Sequence, residues 1–147
     1  MELSYEYIRG LIDGEGCFTF CSAPNLRSGK VMIPAFVLRM SVRDKGLIEA
    51  VRDTLRLRNK VHTYSYLRDK TGPIKRQPQS VLIVRDFGSL RDKIIPLFYK
   101  KLHGYKAKQF SLWIEKMGID PLVPRDYQLL NKLYNKGYFE LRALKFP

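Results

Sequence analysis

The 147-residue sequence has only two cysteines, Cys17 and Cys21, and no long uninterrupted run of apolar residues. A Cys-x3-Cys pair without a second pair is a poor zinc site, so we expect reduced thiols in a strand. Because no stretch of 18 apolar residues occurs, no membrane span is predicted. The first ten residues, MELSYEYIRG, carry acids and no apolar core. We therefore expect no secretory signal and an intracellular protein.

Acidic residues are scarce relative to basic ones. The chain has 14 Asp and Glu against 27 Lys and Arg, for a formal net charge of +13. Such an excess repels itself in a compact fold, which favours a polyanionic partner, and nucleic acid is the first candidate. A ribosomal protein or a binder of anionic membranes would carry the same charge. The charge alone says nothing about catalysis.

Periodicity predicts the order helix, strand, strand, helix, strand, strand and then further helices. The first helix is expected to run from a Ser4 cap to about Asp13 and to end at Gly14 and Gly16. The first hairpin is expected to comprise strands over 18–21 and from Pro34 to about 43, with a turn over 22–31 between them. The later elements are expected to be a helix over 45–58 capped by Asp44, strands over 61–68 and 80–85, a helix that starts at Asp86 or Ser89 and bends or ends at Pro96, a helix after Gly104, and one over 125–136 closed by Gly137.

This order predicts an α+β fold in one domain spanning residues 1–147. Four strands are expected to form a largely antiparallel sheet with helices on one face. The other face would remain open and polar, which suits a surface that lies on DNA.

Residues 8–16 contain three unusual features for a helix. Gly10 lies inside the predicted helix, where glycine costs about 1 kcal/mol relative to alanine. Gly14 follows on the same face, and small residues at this spacing allow another backbone to approach. Asp13 and Glu15 place acids at the C-terminal end, where the helix dipole disfavours them. A bound cation or a neighbouring helix would compensate; the alternative is a plain helix end with solvated acids.

The nine residues Ile8 to Gly16, IRGLIDGEG, resemble the LAGLIDADG signature of homing endonucleases. Gly10, Leu11, Ile12, Asp13 and Gly16 coincide with that pattern. Ile8 stands for its first Leu and Glu15 for its last Asp, so the carboxylate is kept. Arg9 and Gly14 replace the two alanines. Gly14 is equally small, whereas the bulky Arg9 should point away from any helix seam.

The resemblance implies an αββαββα core and a homodimer in which two such helices pack side by side. It implies that Glu15 and the Gly14 carbonyl hold a metal, with Mg²⁺ expected and Ca²⁺ or Mn²⁺ able to replace it. The implied dimer interface comprises Tyr7, Gly10, Leu11, Asp13 and Gly14, with Asp13 helping to cap the partner helix. No second motif occurs in the chain, and residues 84–92 lack the pattern. A symmetric pair would match a palindromic or nearly palindromic site.

Polar side chains that alternate with apolar ones are expected to face DNA. These are Thr19, Cys21, Arg39, Ser41, Tyr64, Tyr66, Arg68 and Lys70, together with the loop residues Lys75, Arg76 and Gln77. The plain alternative for each is a solvated surface side chain. The stretch from Gly104 to Trp113 resembles a family segment whose lysine lies near the cut phosphate, which implies a role for Lys106 first and Lys108 second. Arg43 is a further candidate, whereas His62 and His103 show no partner pattern.

Together these features predict a site-specific endonuclease for double-stranded DNA that hydrolyses phosphodiester bonds with a metal and water. No membrane and no small-molecule substrate are expected as partners. Two alternatives stay open: a non-cleaving binder of the same fold, either an RNA-splicing maturase or a transcription factor, and a ribosomal-type basic protein.

Overall fold

The computed structural model describes residues 1–25, 27, 29–65 and 77–147. Helix α1 (Tyr5–Glu15) leads into strands β1 (Gly16–Asn25) and β2 (Gly29–Ser41). A 3-10 turn (Val42–Asp44) precedes α2 (Lys45–Thr54), β3 (Val61–Tyr64) and β4 (Gln79–Val84). The remaining elements are α3 (Phe87–Ser89), a π turn (Leu90–Ile94), α4 (Ile95–Phe98), α5 (Gly104–Ile119), α6 (Arg125–Asn135), α7 (Phe139–Arg142) and a 3-10 turn (Ala143–Lys145).

The four strands form one antiparallel sheet in the order β1-β2-β4-β3. Phe36 of β2 lies opposite Phe18 on one side and Val84 on the other. These side chains are buried together with residues of α1, α2 and α5, so the helices cover one face of the sheet. The predicted α+β class and the four-stranded antiparallel sheet with helices on one face are confirmed.

Phe18 is the centre of an aromatic cluster beneath the start of β1. Its ring lies 5.0–5.5 Å from the rings of Phe36, Phe98, Phe110 and Trp113. Such pairs each contribute about 0.5–1.5 kcal/mol beyond the burial of their surface. The beginning of β1 is therefore packed firmly against α5.

Helix α1 begins as predicted but ends later. The Ser4 side chain accepts a hydrogen bond from the Tyr7 amide at 3.0 Å, which confirms the predicted cap. The prediction that Gly14 ends the helix is wrong, because the helix continues to Glu15 and Gly16 occupies the C-cap. The Gly16 amide donates to the Ile12 carbonyl and closes the last turn, so Glu15 is the final helical residue.

The first hairpin is longer than predicted. Residues 22–25 were expected to be a turn but are strand, because they pair with residues 29–32 across the hairpin. The second strand therefore begins at Gly29 and not at Pro34. Proline is tolerated at position 34 because this part of β2 pairs with β1 alone and has no second strand that needs its amide.

Two boundaries around α2 also differ from the prediction, whereas the predicted N-cap position of Asp44 is confirmed. Val42 and Arg43 lie in a 3-10 turn and not in the strand, since the Ser41 side chain accepts a hydrogen bond from the Arg43 amide. Asp44 occupies the N-cap position of α2 but makes no capping bond with its side chain. The helix ends at Thr54 and not at residue 58, because Arg56 adopts a left-handed conformation with φ 54°.

The helical second half largely follows the prediction. The Asp86 side chain caps α3 by accepting a hydrogen bond from the Ser89 amide at 3.0 Å. Pro96 follows the π turn, into which its missing amide would otherwise have bonded, and α4 ends at Phe98. Gly137 lies two residues after the end of α6 and has φ 80°, a left-handed conformation that glycine adopts readily. Within the described ranges, no helix has both the length and the apolar character needed to cross a membrane.

Candidate active site and nucleic-acid interface

One face of α1 is smooth and exposed in the single chain. Gly10 and Gly14 both lie on this face, and a Cβ atom added at either position would meet nothing within 4 Å. Tyr7 lies on the same face and is 48% exposed, while Leu11 is half-buried beside it. Ile8 on the opposite face is completely buried. The structure therefore brings together four of the five residues predicted for a dimer interface.

Arg9 points into the protein and away from the glycine-lined face. Its Nε donates to the Leu97 carbonyl at 2.8 Å, Nη2 donates to the Phe146 carbonyl, and Nη1 lies 3.4 Å from the Pro147 carbonyl. Burial lowers the pKa of Arg9, and the nearby Glu6 opposes that shift. The bulky side chain therefore leaves the glycine-lined face free, as the sequence led us to expect.

Asp13 is bonded within its own chain. Its Oδ1 accepts a hydrogen bond from the His103 backbone amide at 3.0 Å, and its Oδ2 lies 3.1 Å from the ring nitrogen Nδ1 of His103. His103 is the N-cap residue of α5 and makes no capping bond with its own side chain. Asp13 thus caps α5 in the same chain. Local sequence patterns do not predict this contact, because 90 residues separate the pair.

Glu15 is exposed at the carbonyl end of α1. The Gly14 carbonyl lies in the last helical turn, where carbonyl groups lack amide partners from the helix. No cluster of three or more His, Cys, Asp or Glu side chains that could hold a metal occurs among the described residues. At this end of α1, Glu15 offers its carboxylate and the last turn offers backbone oxygens. This set fits Mg²⁺, which binds through one or two carboxylates and completes its shell with water and phosphate oxygens.

Lys106 lies beside this end of α1. It is half-buried in the first turn of α5, and its Nζ donates to the carbonyl of Gly16, the residue after Glu15. Lys108 is exposed two residues further along α5. The structure thus places Lys106 at the backbone of the residue that follows Glu15. Arg43 is exposed on the turn after β2.

Two further residues of α5 bond to the same strand and were not found from the sequence. Gln109 accepts a hydrogen bond from the Phe18 amide through Oε1 at 2.9 Å. Trp113 donates from Nε1 to the Thr19 carbonyl at 2.8 Å. A periodic apolar pattern predicts that α5 packs on the core, but it does not reveal these polar contacts.

The open face of the sheet carries the polar side chains that alternation predicted. Arg39 is exposed and lies opposite Val81, and Ser41 lies opposite Gln79. Tyr64 on β3 also lies opposite Gln79, so it shares this face. Thr19 and Cys21 occupy the corresponding positions on β1, and both are half-buried.

A cleft at the β3 edge contains Tyr64, a predicted DNA contact, together with further polar side chains that the sequence analysis did not assign to DNA. Its volume is about 500 Å³, and its lining includes Lys60, His62, Tyr64 and Arg85. His62 and Tyr64 lie two residues apart on β3, with ring centroids 6.4 Å apart. Extending the two-residue alternation back from β3 to Lys60, and on from β4 to Arg85, would have predicted these two side chains on the same face.

Five predicted DNA contacts lie outside the described residues: Tyr66, Arg68, Lys70, Lys75 and Arg76. Gln77, at the border of the described part, is exposed.

The αββαββα order, the antiparallel sheet and the exposed helix that ends in a carboxylate together define the fold of the LAGLIDADG homing endonucleases. The chain has this fold, and the resemblance found in residues 8–16 is confirmed by solved structures. No family model matches the sequence, and no curated protein matches it.

Three solved structures illustrate the likeness. The homing endonuclease I-TnaI matches with a TM-score of 0.63 and 19% identity, and all of both chains is covered. I-LtrWI bound to target DNA matches with a TM-score of 0.62 and 24% identity, over 95% of this chain and 40% of that one. I-GzeII in complex with its DNA target matches with a TM-score of 0.60 and 25% identity, over 92% of this chain and 44% of that one. The chain thus spans less than half the length of I-LtrWI and I-GzeII.

Proposed function

We propose that the chain is a site-specific endonuclease for double-stranded DNA that hydrolyses phosphodiester bonds with a divalent metal. The observation that carries this proposal is the end of α1, where the exposed residue Glu15 is followed directly by Gly16, whose carbonyl accepts a hydrogen bond from the Lys106 amine. A binder that does not cut has no need of a carboxylate next to bound phosphate. The DNA-bound structures of I-LtrWI and I-GzeII support the choice of DNA as substrate.

The open sheet face is the proposed DNA-binding surface. Arg39, Ser41 and Tyr64 present polar groups there, and the net charge of +13 attracts the phosphate backbone. Arginine can donate two hydrogen bonds to the edge of a guanine in the major groove, so Arg39 is the best-placed described residue for reading sequence.

The Glu15 carboxylate and the Gly14 carbonyl would hold the metal. When bound, Mg²⁺ favours hydrolysis by lowering the pKa of water and by neutralising charge on the phosphate. Lys106 would exchange the Gly16 carbonyl for a phosphate oxygen and stabilise the negative charge that develops there. In the free protein the amine is held at the Gly16 carbonyl, one residue after Glu15.

Two copies are required for both strands to be cut, since the described residues of one chain supply a single such carboxylate. The exposed face with Gly10 and Gly14 would form the contact, because glycines let two helix backbones approach closely. The two Glu15 carboxylates would then lie near one another and repel without a cation. Metal binding and order at the site should therefore be coupled, and a two-fold protein would prefer a palindromic or nearly palindromic target.

The decisive test is cleavage by Glu15→Gln, a change that keeps the size of the side chain and removes its charge. A target is first selected by cleavage from a random duplex library in Mg²⁺, and binding is then measured in Ca²⁺. We expect the variant to bind the target but not cut it, whereas Glu115→Gln on the exposed side of α5 should cut normally. Cutting by Glu15→Gln at the wild-type rate would reject the proposed metal site, and a wild-type protein that binds DNA without cutting would favour the non-cleaving alternative.

A further inference from the structure

Three side chains on one face of α5 bond to three backbone groups within residues 16–19, at the start of β1. Lys106, Gln109 and Trp113 are spaced three and four residues apart, which places them on one helical face. They bond to the Gly16 carbonyl, the Phe18 amide and the Thr19 carbonyl. The segment that directly follows Glu15 is thus fastened to α5 at three points.

The Phe18 amide finds its hydrogen-bond acceptor in Gln109, because β1 is an edge strand. The sheet order leaves β1 with one strand partner, β2, so half of its backbone groups point away from the sheet. A partly buried amide without a partner is costly, and Gln109 supplies the acceptor from α5. The distance of 2.9 Å between Oε1 and the amide nitrogen is that of an ordinary hydrogen bond.

The core holds α5 itself in place. Phe110 and Trp113 are 3% and 2% exposed, and both rings contact Phe18. Gln109 therefore connects a helix with little freedom to a strand that begins one residue after Glu15. Because the chain from Glu15 to Phe18 passes straight from helix into extended strand, it has little slack between these points.

We propose that Gln109 is a positioning residue for the Glu15 carboxylate. By accepting the Phe18 hydrogen bond, it fixes where α1 ends and how the carboxylate is presented to DNA. What the carboxylate does there rests on the proposed endonuclease function. A misplacement of about 1 Å in a catalytic group can cost about 100-fold in rate, so a single well-placed hydrogen bond can matter.

Gln109 is the most informative of the three α5 residues to change. Lys106 is proposed to contact phosphate, so its loss would mix chemistry with positioning. Trp113 is buried in the core, so its removal would leave a cavity and destabilise the whole fold. Gln109 is only half-buried and can be replaced by side chains of similar length.

The test compares Gln109→Met, which keeps the length but removes the acceptor, with Gln109→Glu, which keeps both. Gln128→Met is the matched control, because Gln128 is also half-buried and bonds to a backbone group, the Val123 carbonyl, but on α6. Three quantities are measured: hydrogen exchange of the Phe18 amide in the free protein, affinity for the duplex in Ca²⁺, and single-turnover cleavage in Mg²⁺.

For Gln109→Met we expect Phe18 exchange to be faster by about tenfold, cleavage to be slower by about 10–100-fold, and duplex affinity to stay within about twofold. Gln109→Glu should restore both the exchange protection and most of the cleavage rate, and Gln128→Met should change neither.

Unchanged Phe18 exchange in Gln109→Met would overturn the inference whether or not the protein cuts DNA. Equal losses of binding and cleavage would also overturn it, because a merely structural role predicts both. A wild-type protein that fails to cut would instead overturn the proposed function.

Discussion

The amino group of Lys106 donates a hydrogen bond to the carbonyl of Gly16, the residue that directly follows Glu15. Lys108 lies two positions further along the same helix and is exposed. Residues two apart on a helix do not share a face, so the two lysines cannot serve the same site from one helix orientation. The structure therefore distinguishes Lys106 from Lys108, two candidates for the same role that the sequence alone did not distinguish.

Lys106→Met should slow cleavage by about 10²–10³, the usual effect of removing a group that stabilises developing charge. Binding of the duplex in Ca²⁺ should change little. Lys108→Met is the matched control and should cut at nearly the wild-type rate. The measurement is single-turnover cleavage of a labelled duplex on a gel. The reverse result, slow cutting by Lys108→Met alone, would transfer the proposed role to Lys108.

Gly10→Leu tests the use of the exposed α1 face. If that face packs against a second copy, leucine should yield monomers or insoluble protein. If it is a free surface, leucine should instead stabilise the helix by up to about 1 kcal/mol, because glycine is a poor helix former. Gly46→Leu on α2 is the control, since a side chain there also meets open space. Sedimentation with and without DNA, together with the melting temperature, distinguishes the two cases.

Arg9→Met should destabilise the protein by about 2–4 kcal/mol, because it leaves buried carbonyls without donors. The affected carbonyls include those of Leu97 and Phe146, which Arg9 bonds directly. Arg52→Met should cost far less, about 0–1 kcal/mol, since Arg52 pairs with the solvent-accessible carboxylates of Glu49 and Asp53. Urea unfolding followed by circular dichroism measures both. Equal, small losses would show that the Arg9 contacts contribute little.

Asp86 should make stability depend on acid pH. Burial raises the pKa of Asp86, but hydrogen bonds from Ser89 and Asn59 outweigh it, so the pKa lies below its ordinary value. A lowered folded-state pKa stabilises the protein above the unfolded pKa of about 3.9, and this contribution is lost as the pH falls through the folded value. Asp86→Asn keeps an N-cap acceptor but does not titrate. The difference in unfolding free energy between wild type and Asp86→Asn should therefore narrow from pH 7 to pH 3; a constant difference would contradict the assignment.

Arg39→Ala should weaken the preference for one particular base pair in each half-site, with a loss of about 1–3 kcal/mol in discrimination at that position. Arg125→Ala, at the start of α6, is the control for loss of one positive charge elsewhere. Affinities for single-substitution duplexes at constant salt provide the measurement. If Arg39→Ala weakens binding to every duplex equally, the side chain contacts phosphate and does not read bases.

Local patterns predicted much of the fold because they have local causes. Ser4 was found as a cap because a hydroxyl at a helix start bonds to the backbone three residues on. Alternation placed Arg39 and Ser41 on the open face because successive strand residues point to opposite sides. The hairpin length was missed because Pro24 and Asn25 are turn formers in isolation, and pairing with residues 29 and 30 overrides that preference.

The site was predictable only in part. The resemblance in residues 8–16 identified Glu15, and the stretch from Gly104 identified Lys106. The contacts Asp13–His103 and Lys106–Gly16 each join residues 90 positions apart, so no local periodicity reports them. The capping of α5 by Asp13 therefore emerged only from the three-dimensional arrangement.

The bonds from α5 to β1 also affect how the protein behaves at high concentration. A bare sheet edge is a template on which strands of other molecules add and aggregate. Near the start of β1, the outward Phe18 amide donates its hydrogen bond to Gln109. In the part of β2 that β4 does not reach, the Met32 amide donates to the Leu122 carbonyl at 2.9 Å. The other edge, β3, is only four residues long in the described part of the chain. Strand-by-strand growth into fibres is therefore disfavoured at both sides of the sheet, which leaves helix α1 as the surface most open to a second copy.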